Sequence, residues 1–148
     1  MGRRRDAREL ALKCLHQWDQ RPDDGRELAA MTITDLAADA DEAAYCRLLL
    51  EAFWANASSI DEMIQAAAEN WRLERMAVVD RAVLRLAVTE LLHVHEVPAR
   101  VTLDEAIELA KLYSTEKSGA FVNGILDRIL TELEKSDGPE VVRRKEEG

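Results

Sequence analysis

No stretch of this sequence alternates apolar and polar residues with a period of two over the length of a strand, whereas apolar residues recur at three- and four-residue spacings almost from end to end. Only a helix buries one face with that spacing, so the chain is confined to an all-α fold. Ala, Leu, Glu and Arg abound, and 148 residues contain 6 Gly and 3 Pro, which leaves few breakers to interrupt the helices. A chain of this length buries a substantial interior without disulfides.

The spacing predicts a first helix over about Arg4–Asp19, with Ala7, Leu10, Ala11, Cys14, Leu15 and Trp18 on one face. RPDDG, residues 21–25, is a turn cluster, followed by a loosely patterned stretch to about Asp41. Further helices are expected over about Glu42–Ala57 and from Ser59, with Glu62 completing a capping box, towards Trp71. The most apolar helix, about Val78–His95, is expected at the centre of the core and is ended by Pro98. Thr102 and Glu105 form a second capping box opening a helix to Tyr113, STEKSG (114–119) is a loop, and Ser118 is placed to cap the last helix. The expected domain is 1–135, with halves of about 1–75 and 76–135, followed by a mobile charged tail, 136–148.

One stretch of the last helix contradicts itself. AFVNGILDRI, residues 120–129, carries Asn-Gly, a strong turn signal, inside a helical apolar repeat. The conflict is relieved if Asn123 and Gly124 lie in the first helical turn, where backbone N–H groups lack intrahelical partners and a glycine admits a close neighbour.

Cys14 and Cys46 form no metal-binding spacing and read as reduced core residues of a cytoplasmic protein. No apolar run approaches the length of a membrane span and the N-terminal arginines precede no apolar signal segment, so neither membrane nor secretion is expected. A net charge of −9 argues against nucleic acid as a partner, yet the distribution is uneven. Arg3, Arg4, Arg5 and Arg8 crowd one end, and Arg4, Arg5 and Arg8 fall along one flank of the first helix. An acidic body with a basic pole admits two partners of opposite charge.

His93, His95, Glu96 and Glu90 lack the spacing of metal ligands, since residues two apart on a helix face different directions; no metal and no cofactor are expected. Glu90 falls within the apolar arc of its helix, so it must be satisfied or protonated. A structural acceptor for backbone N–H groups is favoured over a catalytic acid, because no second carboxylate, histidine or nucleophile converges with it along the helix. No phosphate loop, hydrolase triad or dinucleotide fingerprint occurs, and the chain is read as no enzyme. Lys117, Phe121 and Asn123 supply an ammonium, a ring and an amide, the mixture used for single-stranded RNA; plain core packing is the competing reading for Phe121.

RRRDARELALKCL, VVDRAVLRLAVTELL, VPARVTLDEAIELAK and FVNGILDRI together resemble, in order and separation, the bacterial transcription antitermination factor NusB family, densely from Arg3 to Leu133 and weakly over residues 20–60. The resemblance implies about seven helices forming two small packed bundles, without catalysis. It implies binding of boxA-type ribosomal RNA leader together with the ribosomal protein NusE, and association with an RNA polymerase elongation complex. It places Arg3, Arg4, Arg5, Arg8, Phe121, Asn123 and Lys117 at the RNA and Glu74 and Asp80 at the partner protein. Where the family has INEA this chain has LDEA, so Asp104 replaces an amide, and His16 stands where an aromatic is frequent. Two alternatives carry other functions: a helical dimerisation module, a homodimer in which the arginines pair with acids of a second copy, and a fragment of an RNA methyltransferase with a NusB-like domain, for whose catalytic part this length leaves no room.

Overall fold

A computed structural model describes residues 2–136, so all of the expected tail except Ser136 lies outside the described residues. Among these residues there are seven α-helices and no strand: α1 Gly2–Gln20, α2 Gly25–Leu36, α3 Ala40–Ala55, α4 Ala57–Ala67, α5 Val78–His93, α6 Ala99–Tyr113 and α7 Glu116–Ser136, with a 3₁₀ turn at Leu73–Arg75. Helix α5 is the axis of the fold. It buries every residue from Ala82 to Leu91 and packs against α1, α3, α4, α6 and α7, as its near-continuous apolar run requires. Around it, α1, α2 and α3 pack on one another, α6 pairs with α7, and α4 lies on α5 and α7. One continuous core joins both sides, from Leu15 and Phe53 to Val122 and Leu126. Cys14 and Cys46 are fully buried within it.

The loosely patterned stretch contains a helix, α2, which the sequence reading does not place. Its buried side is only Gly25, Ala29 and Ile33, one residue per turn, because it covers α1 alone over most of its length. A stripe that narrow leaves Met31 and Leu36 exposed and blurs the helical period. Gly25 makes the sharp return from α1 feasible: a Cβ there would lie 2.6 Å from Trp18 Cα, closer than any side chain tolerates.

Neither expected capping box forms. Helix α4 begins at Ala57, and the Ser59 hydroxyl donates back to Asn56 O at 3.1 Å. Helix α6 begins at Ala99 directly after Pro98, where a proline's fixed φ suits a helix entrance, and this leaves Thr102 inside the helix, free to serve another element. Helix α4 also stops at Ala67, short of Trp71. Gln65 stitches the loop that follows, donating to Trp71 O at 2.7 Å and accepting from Leu73 N at 2.8 Å. The expected 114–119 loop is shorter, because Thr115 rather than Ser118 is the cap: its Oγ1 accepts from Ser118 N at 3.1 Å.

That earlier start moves Asn123 and Gly124 from the first turn of α7 into its interior. A Cβ on Gly124 would meet nothing within 4 Å, so no neighbouring helix demands the glycine. Gly124→Ala is expected to raise stability by about 0.5–1 kcal/mol through helix propensity, measured by urea denaturation. A loss of RNA affinity in the same variant would identify a ligand as the reason for the glycine.

Arginines of α5 fasten it to the N-terminal helices in a way that periodicity does not reveal. Arg85 forks onto Asp61 of α4 with both contacts at 2.9 Å, and Arg81, one turn earlier, is paired with Asp19 of α1. Both guanidinium groups are largely covered, and Arg85 also lies 5.4 Å from the Trp18 ring centroid, within cation–π range.

Candidate nucleic-acid interface

The first turns of α1 run beside the α5–α6 corner, and Arg4, Arg5 and Arg8 of the pole meet the carboxylates of Glu96, Glu105 and Glu90 there, Arg8 also lying 3.5 Å from Glu105. Arg4 Nη2 donates to Glu96 Oε2 at 2.9 Å, with its guanidinium 4.8 Å from the Tyr45 ring centroid. Arg5 forks onto Glu105, Nε at 3.0 Å and Nη2 at 2.6 Å. Arg8 is buried, 7% exposed, and its Nε donates to Glu90 Oε2 at 2.9 Å. The single basic flank on the helical wheel is therefore two rim residues and one interior residue. Arg3 lies in the first turn of the same helix.

Glu90 is the interior end of this arrangement. Side chains from three other helices donate to it: Arg8 of α1, Tyr45 of α3 at 2.5 Å and Thr102 of α6 at 2.7 Å. A buried carboxylate so engaged fixes the crossing of four helices. Burial and the adjacent Glu90 carboxylate push the Tyr45 phenol well above its ordinary range.

Arg4, Arg5, Pro98, Val101, Asp104 and Glu105 border a groove of about 530 Å³. Asp104 also borders a second depression of about 290 Å³, with Arg100 of α6 and Asn123 of α7. The two meet at Asp104, which links the α1 end to α7 across α6. Asp104, the residue in place of an amide, stands between them. Lys117 is exposed one turn before Phe121. Phe121 is half-buried and meets Trp71 edge to face, centroids 6.0 Å apart; neither lines the arginine groove, and Trp71 is 55% exposed.

The hydrogen bonds from Arg5 hold the Glu105 carboxyl below its ordinary value of 4.5, and the guanidinium is correspondingly raised. The carboxylate's folded value lies below its unfolded one, so its contribution is complete above about pH 4.5 and is lost as the pH falls through the folded value. Carbon NMR of the Glu105 carboxyl is expected to show a midpoint below 4.5, returning towards it in Arg5→Ala.

The acidic candidates differ in setting. Glu74 is exposed on the 3₁₀ turn, and hydrogen bonds from its own backbone N–H and from Arg72 hold its carboxyl low. Asp80, in the first turn of α5, is 7% exposed, and its Oδ1 is buried without a hydrogen-bond partner among the described residues. Beside it, Val79 joins Leu12, His16, Leu36 and Tyr113 around a largely apolar groove of about 400 Å³.

Sequence reasoning misses Tyr45, Glu96, Arg100 and Glu105 as parts of the basic site. Glu105 is assigned to a cap by its spacing from Thr102, and nothing local marks its partner, which is 100 residues away. Trp71 is missed as the companion of Phe121 for the same reason.

Known proteins match this chain in sequence and in fold. The NusB family model matches residues 5–131. A transcription antitermination protein NusB from Salinibacter ruber is 42% identical over 134 residues, covering 90% of this chain and 84% of the relative. The crystal form of T. maritima NusB superposes with a TM-score of 0.82 at 40% identity, covering 97% of this chain and 96% of that one. A structure of the antitermination factors NusB and NusE in complex with dsRNA contains a chain that superposes with a TM-score of 0.81 at 28% identity, covering 89% of this chain and 98% of that one. With its helices, their order and nearly its whole described length accounted for by these matches, the chain belongs to the NusB family.

Proposed function

We propose that this chain is an RNA- and protein-binding transcription antitermination factor of the cytoplasm, which binds boxA-type leader RNA together with NusE and carries both to an elongating RNA polymerase. The observation that carries this reading is the pair of grooves from Arg4 and Arg5 across α6 to Asn123, where arginines are interleaved with carboxylates on an acidic molecule, in a family whose members include a chain solved with NusE and RNA. Arg3, Arg4 and Arg5 meet phosphates, Asn123 and Phe121 meet bases, and Lys117 extends the edge. Arg8 acts from beneath, holding the pole against α5 through Glu90.

The acidic remainder suits a basic ribosomal partner. Glu74 meets it as an exposed charge, and Asp80 offers a buried acceptor that a donor from the partner satisfies. The neighbouring apolar groove at Val79, Leu12 and His16 supplies contact area. The role is that of an adaptor without catalysis, since Glu90 is engaged by three donors rather than open to a substrate.

Fluorescence anisotropy with boxA-type and scrambled RNA, with and without NusE, over a salt series tests the reading. Preference for boxA that strengthens with NusE and weakens with salt supports it. Equal, salt-independent binding of both strands sinks it, as does a homodimer, seen by light scattering, that buries Arg4 and Arg5 and binds no RNA.

A further inference from the structure

The rim arginine pairs are built in opposite senses. In the Arg5–Glu105 pair the acid is the inner member: the Glu105 side chain is 16% exposed and that of Arg5 57%. In the Arg4–Glu96 pair the acid is the outer member, 67% exposed against 41% for the cation. Two salt bridges of similar length therefore present opposite charges to solvent.

The donor geometry differs as well. Glu105 takes Nε and Nη2 of Arg5, so the guanidinium edge between Nη1 and Nη2 is turned away from it, and that edge has the spacing of two phosphate oxygens. A planar group gripped along one edge loses most of its rotational freedom before a ligand arrives. Glu105 is itself braced, with Arg8 Nη1 3.5 Å from its Oε1. Glu96 instead contacts Arg4 through one nitrogen, and an exposed single-point ion pair of this kind is held weakly in water.

We propose that Glu105 is a positioning residue that presents Arg5 as a preset fork to an RNA phosphate, while Glu96 is a displaceable counter-ion that occupies Arg4 until a phosphate takes its place. The inference rests on the RNA-binding reading of the arginine pole and adds two acidic residues to it, with effects of opposite sign.

Glu105→Gln and Glu96→Gln each remove one negative charge next to a phosphate site, so charge counting alone makes both bind RNA more tightly. The expected result is a split. Glu96→Gln tightens binding of the boxA-type strand about threefold, whereas Glu105→Gln weakens it about tenfold and makes the salt slope shallower by about one unit. In an Arg5→Ala background Glu105→Gln has no further effect on affinity, a coupling that a merely structural role does not produce. Thermal melts accompany each variant. If Glu105→Gln fails to fold, Arg5→Lys is decisive, because it keeps the charge and loses the fork; it is expected to weaken binding about as much. Tighter binding by Glu105→Gln, equal weakening with and without Arg5, or unchanged affinity in Arg5→Lys overturns the positioning role. Unchanged or weakened binding in Glu96→Gln overturns the counter-ion role. A wild-type protein that does not prefer the boxA-type strand to its scrambled control overturns the proposed function itself, and this inference with it.

Discussion

Replacing Glu90 by alanine is expected to lower the unfolding free energy by about 3–5 kcal/mol, the cost of leaving a buried charge without its partner. The charge left behind is Arg8, 7% exposed in the core edge between α1 and α5, with only the 3.5 Å contact to Glu105 remaining, and the loss also strips acceptors from the half-buried hydroxyl of Tyr45 and the buried one of Thr102. A domain of this size converts each kcal/mol into roughly 2–4 °C of melting temperature, so thermal and urea denaturation both resolve the effect. Glu90→Gln, which keeps the shape and an acceptor but not the charge, is expected to lose about 2–3 kcal/mol. A double-mutant cycle with Arg8→Ala isolates the pair; additive losses would show that Arg8 and Glu90 do not depend on one another. Retained stability in Glu90→Ala would instead reopen a functional role for this carboxylate.

The second large effect concerns binding. Arg4→Ala with Arg5→Ala is expected to weaken boxA-type RNA binding about 150-fold near 0.1 M salt, since each removes a charge-assisted contact of about 1.5 kcal/mol. The salt slope should fall by about one unit per phosphate lost. Both side chains lie on the rim and pair with partly exposed carboxylates, so folding should change by no more than surface ion pairs are worth, about 1 kcal/mol each. The outcome that contradicts the assignment is an unchanged affinity in the double variant. Arg8→Ala serves as the contrast: an interior position predicts that its stability falls first and that any loss of RNA affinity follows from loosening of α1.

How much of this was legible beforehand varies with the range of the physical cause. The apolar run over Val78–His95 already placed α5 at the centre, and the structure buries it nearly all round, ending at His93 rather than His95. Ser59 with Glu62 and Thr102 with Glu105 satisfied the capping pattern and capped nothing, since Asn56 and Pro98 precede helices that begin earlier. Thr102 and Glu105 were spent on Glu90 and Arg5 instead, partners on other helices. The turn signal of Asn123-Gly124 likewise gave way to an apolar stripe on both sides, Val122, Ile125 and Leu126 being buried.

The sequence by itself determined the all-α class, most of the helices and the face each one buries, because periodicity is a property of a few consecutive turns. It also marked the basic pole, and the resemblance of its ordered blocks pointed to the family. Only the tertiary structure decided that Arg8 turns inward while Arg4 and Arg5 stay on the rim, and that Glu90, Glu96 and Glu105 are their partners. Those pairings join residues 82 to 100 positions apart, and a charge's partner is set by how helices cross. Several carboxylates offer equal attraction along the chain, and packing of the apolar faces around α5 selects which of them comes within hydrogen-bond reach of each arginine.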